Sequence, residues 1–311
     1  MSSDRETGLL AASVAQRFYI DNDSKIRIAE DLGISRFKVA RLLDFARDNG
    51  MVEFVIRPPI EVNAALSSEV RRRFGLREAV VVESFGEEDD SARTRQQIGR
   101  AAAALLSDMI SEGDVLGVGW GRTTSAMVDQ LGRLPACPVV QICGIVGTPG
   151  ANSLDMIRRI TERSQGPAYP MYVPLMVADD VIAESLRQEQ GVAAAMAQFE
   201  RVSLAAVSIG SLDPLQSQLT QRLAPSEQQR ILESGAVAEI LGTYIRADGT
   251  RFTEFAGRTL AMGFEALKRV DNLMLLASGA YKAEAVRAAF TAGLGNILVT
   301  DRRLAQRLLD A

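Results

Sequence analysis

At 311 residues, 47% of them apolar and 24% charged, the chain is long enough for two domains and composed like a globular protein with a substantial core. A net charge of −4, the absence of histidine and only four lysines exclude a generally basic protein, histidine-based triads and the common zinc sites, so no catalytic set, metal or cofactor is expected. Two cysteines, Cys137 and Cys143, make no disulfide framework, the apolar runs are too short to span a bilayer, and the opening MSSDRETGLL lacks the order of a signal peptide, which together predict a cytoplasmic protein with no membrane partner.

Residues 9–19 form an apolar segment that predicts a first helix, and residues 25–48, KIRIAEDLGISRFKVARLLDFARD, then predict a helix-turn-helix. Ala29 allows two helices to cross closely, Gly33 falls where the turn needs positive φ, and Ile34, Val39 and Leu42 supply the apolar lock between the helices. Ser35 is a good N-cap for the second helix, which should run to about Asp48 and stop at Gly50. Such a helix places its N-terminal residues at base edges in the major groove. Arg36, Lys38 and Arg41 lie there with no acidic residue between Ser35 and Arg41; Lys25 and Phe37 complete the candidate DNA-contacting set. Residues 1–57 balance nine Lys/Arg against nine Asp/Glu, so positive charge must be local to the recognition face. A weak single head favours an oligomer that presents several at once.

The run MVEFVIRPP (51–59) predicts a strand leaving the head with a stiff Pro-Pro exit, and a helix follows to Gly75. Arg71–Arg73 on it fit a solvated or interdomain face better than a phosphate contact. From residue 79 short apolar runs alternate with helical ones: strands at 79–83, 115–119, 138–143, 169–174, 203–210, 272–279 and 296–301, a short extended piece around Tyr244, helices near 91–111, 123–132, 153–164, 180–200, 225–234 and 281–292, and a last helix to 309. Strands this apolar, spaced by helices, predict an open α/β domain with a parallel sheet covered on both faces.

Ligands gather at the carboxyl ends of such strands. Three loops there are candidates: Gly119, Gly121, Arg122, Thr123 and Thr124; Gly144 with Ser153 and Asp155 further on; and Gly279 with Lys282. The first combines close backbone approach, two hydroxyls, a guanidinium and a helix N-terminus, all suited to an anion. Lys282, set in the first turn of a helix, opposes the helix dipole, which either an anionic ligand or simple exposure accounts for. A further predicted loop, 235–240, puts Glu239 among apolar neighbours, where it can accept from ligand hydroxyls or serve as a structural cap.

The helix-turn-helix followed by GVGWGRTTSAMVDQL (117–131), AVAEILGTYIRADGT (236–250) and LASGAYKAEAVRAAFTAGLGNILVTD (276–301) resembles the SorC family of bacterial sugar-sensing transcriptional regulators, sometimes grouped with DeoR-type proteins. The resemblance implies a winged-helix-like head (1–57) and a large α/β effector-binding and oligomerisation domain (58–311) related in fold to sugar-phosphate isomerases. It further implies a tetramer or dimer on double-stranded operator DNA, and control, most often repression, of a carbohydrate or polyol operon. By that resemblance Gly121, Arg122, Thr123 and Lys282 hold a phosphate, while Glu239 and the 152–155 segment meet sugar hydroxyls. Cys143 stands where family members can carry a basic residue, so a sugar phosphate, a free sugar and a polyol all remain open as effectors. The alternative is a sugar-phosphate isomerase or deaminase on the same scaffold, with Asp or Glu as its base.

Overall fold

The computed structural model describes residues 2–52, 60–84, 92–146 and 153–310, with the side chains of 2–6 and 153–154 left aside. The chain divides into two compact units, residues 1–59 and 60–311.

The first unit is three helices, α1 (Ser2–Tyr19), α2 (Lys25–Leu32) and α3 (Arg36–Asp48). Ser24 starts α2 by accepting the Arg27 N–H at 3.2 Å, and Gly33 ends it in the left-handed conformation, φ 62°. That turn returns the Ile34 N–H to the Ala29 carbonyl at 3.0 Å. Ser35 caps α3 through the Lys38 N–H at 3.2 Å. Ala11, Val14 and Ala15 of α1, Ile28 and Ala29 of α2, and Val39, Leu42, Leu43 and Ala46 of α3 close one small core. Ala29 sits at the crossing, where a longer side chain would part the helices. The strand expected to leave the head falls on 53–59, outside the described residues, except for Met51 and Val52, which form a bend. Because so small a core carries little surplus stability, Ser24→Ala should cost the head about 1 kcal/mol, read as an earlier denaturant midpoint by circular dichroism.

The second unit opens with α4 (Ala64–Phe74), β1 (Glu78–Val82), α5 (Ala92–Met109), β2 (Leu116–Val118), α6 (Arg122–Gln130), β3 (Val139–Gln141), α7 (Ser153–Ser164) and β4 (Ala168–Tyr169). It continues through α8 (Asp180–Arg187), α9 (Gln190–Met196), β5 (Leu204–Ser208), β6 (Gly210–Ser211), α10 (Pro225–Glu233), β7 (Ala236–Ile240), β8 (Thr243–Arg246), β9 (Arg251–Phe252) and α11 (Phe264–Lys268). It ends with β10 (Asn272–Leu276), α12 (Ala283–Thr291), β11 (Ile297–Asp301) and α13 (Arg302–Leu309). Seven strands form a parallel sheet in the order β1-β11-β10-β5-β2-β3-β4.

Side chains alternate across the pleat, so neighbours on one strand feed two different cores. Leu276, Val299, Val118 and Val139 pack with Ile98 of α5, Met127 of α6 and Ile157 of α7. Leu275, Leu298 and Val207 pack on the other face with Val70 of α4, Val286 of α12 and Leu304 of α13. All five residues of β11 are buried, as a strand covered on both faces requires. Among the described residues no helix is long and apolar enough to cross a membrane.

One expectation is corrected. Residues 236–240 are not a loop but β7, paired with β6 and β8 in a second, antiparallel sheet of order β6-β7-β8-β9. The β7–β8 hairpin turns on Leu241 and Gly242, φ 52° and 79°, the double positive φ of a tight hairpin turn. A leucine there gives no turn signal in the sequence. The extended run expected over 169–174 is also shorter, with only Ala168 and Tyr169 laddered to β3.

Candidate functional site

On the head, Arg36, Phe37, Lys38 and Arg41 are all exposed at the start of α3, opposite the face that buries Val39, Leu42, Leu43 and Ala46. Arg47, in the last turn, is bound by Asp44, whereas Arg36, Lys38 and Arg41 have no ion-pair partner among the described residues. Ser35 uses its hydroxyl oxygen as the cap, and Lys25 is half-buried with its ammonium 5.3 Å from the Phe18 ring. The exposed start of α3 therefore presents three cations around Phe37.

In the second unit the geometry follows from the strand order. The chain runs outward from β2 to β3 and β4 on one side, then returns to β5 and runs outward through β10 and β11 on the other. The point of reversal lies between β2 and β5, which pair Val118 with Ala206. A crevice opens at the carboxyl ends of strands at such a point. Here it is a cleft of about 390 Å³, counting the space open to solvent. Trp120, Gly121, Arg122 and Thr123 enter from the start of α6, Ser208, Ile209 and Gly210 from the end of β5, Gln216 and Gln218 from the loop after β6, Glu239 from β7, and Lys282 from the turn before α12.

The walls are held by buried polar contacts. A Cβ on residue 121 would lie 2.4 Å from Ser208 Oγ, so only glycine lets the loop reach β5. Ser208 Oγ in turn lies 2.9 Å from Thr124 Oγ1 and accepts the Thr124 N–H at 3.3 Å. Glu239 Oε1 accepts the Gly242 N–H at 2.6 Å and Oε2 accepts the Ser217 hydroxyl at 3.0 Å. Thr220 continues the network, its hydroxyl 2.9 Å from Ser217 Oγ and 3.3 Å from Tyr244 Oη. Burial pushes the Glu239 carboxyl above the ordinary glutamate range, opposed by these two hydrogen bonds and by the positive charge of Lys282. Lys282 is itself 5% exposed. One small cleft therefore carries a buried cation and a buried, prepositioned acceptor.

A carboxyl raised in the folded state favours the protonated fold, so its contribution to stability falls as pH rises through that raised value. Glu239→Gln removes this loss. The melting temperature of Glu239→Gln minus that of the wild type should therefore grow between pH 5 and pH 8, and a difference that stays flat across that range would show that Glu239 carries no burial penalty.

Of the residues expected from the sequence to meet an effector, the structure brings Gly121, Arg122, Thr123, Glu239 and Lys282 into the cleft. It places the others elsewhere. Thr124 is turned to Ser208, and the Gly119 N–H is bonded to the Ala206 carbonyl at 2.9 Å. Gly144 packs under residues 173–174, where a Cβ would lie 2.5 Å from the Pro174 carbonyl oxygen, and its N–H goes to Leu260. Gly279 gives its N–H to Asp301 Oδ2 at 2.7 Å. Asp155 is exposed and bound to Arg158 and Arg159, and the Arg158 hydrogen bond holds its carboxyl below the usual range. The Ser153 side chain lies outside the described set. Ser208–Gly210, not expected from the sequence, lie at the carboxyl end of β5, where the same strand-end rule reaches them. Gln216 and Gln218 carried no such signal. Cys143 is buried, its thiol pushed up to about 12 by burial, so it brings a neutral group to the region beside Trp120.

An N-terminal helix-turn-helix joined to a ligand cleft at the switch point of a parallel sheet defines a ligand-responsive, DNA-reading class of protein. Residues 58–310 match the family described as "Putative sugar-binding domain". The erythritol catabolism regulatory protein EryD of Brucella abortus is 30% identical over 96% of this chain and 96% of its own length. The deoxyribonucleoside regulator of Bacillus subtilis is 26% identical over 99% of both. The crystal structure of the full-length sorbitol operon regulator SorC of Klebsiella pneumoniae superposes with a TM-score of 0.74, covering 96% of this chain and 98% of that one at 23% identity, a likeness of fold. The chain belongs to the SorC family of sugar-binding transcriptional regulators.

Proposed function

We propose that the chain is an operator-binding repressor of a carbohydrate or polyol catabolic operon, released or remodelled by a small sugar, sugar phosphate or polyol held in the cleft. Residues 1–57 act as the reader, and residues 58–311 bind the effector and assemble a dimer or tetramer. The observation that carries this reading is that buried Lys282 and buried Glu239 line one cleft, which also receives the N-terminus of α6. A cation and a helix N-terminus suit an anionic or strongly polar end of the ligand. A carboxylate and two glutamines, Gln216 and Gln218, suit its hydroxyls.

An effector shifts DNA binding only through different affinities for two arrangements of the protein. We assign that difference to the loops at 119–124 and 278–282, which close on the ligand and alter the packing between copies. The head's balanced charge makes each contact weak, and assembly of several heads supplies the affinity. A gel shift with the gene's own upstream region, run beside an isomerase assay, tests the reading. A sequence-specific shift that changes with effector, and no turnover, is expected; turnover with no specific shift at low salt would make the chain an enzyme.

A further inference from the structure

Phe37 is 84% exposed, more than any other large apolar side chain described. It is the second residue of α3, flanked by exposed Arg36 and Lys38, and it shares a helix face with exposed Arg41 four residues on. The head's core takes the opposite face of α3, so Phe37 contributes nothing to folding. Its surroundings decide what can cover it. An apolar protein surface would have to bury three cations along with the ring, without anionic partners. Duplex DNA meets both demands: its phosphates compensate the cations, and its major groove holds one apolar feature, the 5-methyl group of thymine.

Building on the operator-binding reading above, we propose that Phe37 is a specificity-determining residue that reads a thymine methyl in the major groove, beside hydrogen bonds from the neighbouring arginines to base edges. The helix places its N-terminal residues at the floor of that groove, so an aromatic side chain at its second position reaches base edges, not backbone. Phosphate contacts hold register and the methyl contact adds sequence preference.

The test uses the full chain and duplexes that it selects from a random-sequence pool, with each thymine in the selected site replaced in turn by deoxyuridine at fixed salt. At one thymine in each half-site, loss of the methyl should weaken wild-type binding about fourfold, the factor for one buried methyl-sized group. Phe37→Ala should bind the thymine duplex more weakly and be indifferent to the same replacement. Its melting temperature should match the wild type because the ring is exposed. Selection of a defined site with no methyl-sensitive thymine, or equal weakening of both proteins, would overturn the assignment while leaving operator binding intact. A lowered melting temperature for Phe37→Ala would make the ring part of the fold and overturn it as well. Failure to select any sequence would defeat the operator-binding reading itself.

Discussion

Lys282→Met is expected to abolish the effector response while leaving operator binding without effector at its wild-type strength. Lys282 is 5% exposed in the cleft wall, so an anionic or polar ligand group that meets it does so with little water to screen the contact. Truncating one member of a buried charge pair typically costs about 2–5 kcal/mol, a loss of roughly 30-fold to several thousandfold in ligand affinity. Methionine matches the apolar stem of the lysine and lacks only its terminal atom, so packing around the turn is largely preserved. Glu239 then loses the positive charge that opposes its burial, and its carboxyl should move further above the ordinary range. Calorimetric titration with the effector, beside operator binding by fluorescence anisotropy, separates the two roles. Loss of operator binding in a variant that melts normally would remove Lys282 from the effector site.

Arg36→Ala, the second large expectation, should relax sequence preference by about 1–3 kcal/mol at one base pair of each half-site if the guanidinium reads a base. The side chain is exposed at the first position of α3, without an ion-pair partner among the described residues, so its removal disturbs no described contact. Binding to a panel of single-base operator variants checks it. A uniform loss across all sequences, with a shallower salt dependence, would make Arg36 a phosphate contact instead.

The parts of the fold legible in the sequence are those with a strong local cause. Gly33 and Ser35 mark the helix-turn-helix because a left-handed cap and an N-cap each demand a narrow set of residues. The central strands stand out because both faces of 273–276 and 297–299 are buried, leaving the apolar runs LMLL and ILV. The antiparallel insertion was hidden for the opposite reason. Only the extended piece around Tyr244, which is β8, shows in the sequence; the outer strands, β6 and β9, are two residues long, and the hairpin turns through Leu241, so neither period nor turn chemistry announces the sheet. For the same reason Glu239, a carboxylate among apolar neighbours in the sequence, reads as a loop residue yet stands on β7.

The candidate cleft was legible only where one loop follows one strand. Gly121, Arg122 and Thr123 follow β2 directly, and the strand-end rule reaches them. Glycine alone does not say what approaches it. At Gly144 the close neighbour is the Pro174 carbonyl, and at Gly279 the backbone N–H answers Asp301, which also caps α13. Both are tight packing, with no ligand required. Gln216 and Gln218 arrive from another part of the chain altogether, and only the assembled fold brings them to the cleft.

The central claim, that ligand in this cleft governs DNA binding, is tested most directly by one paired titration. A ligand is first found by thermal shift across pentoses, hexoses and polyols, with and without phosphate, since a specific ligand stabilises the fold it binds. It is then titrated into the complex of the chain with the gene's own upstream region, for the wild type and Lys282→Met side by side. The account predicts a change in operator affinity for the wild type and none for the variant. Equal responses from the two proteins would contradict it.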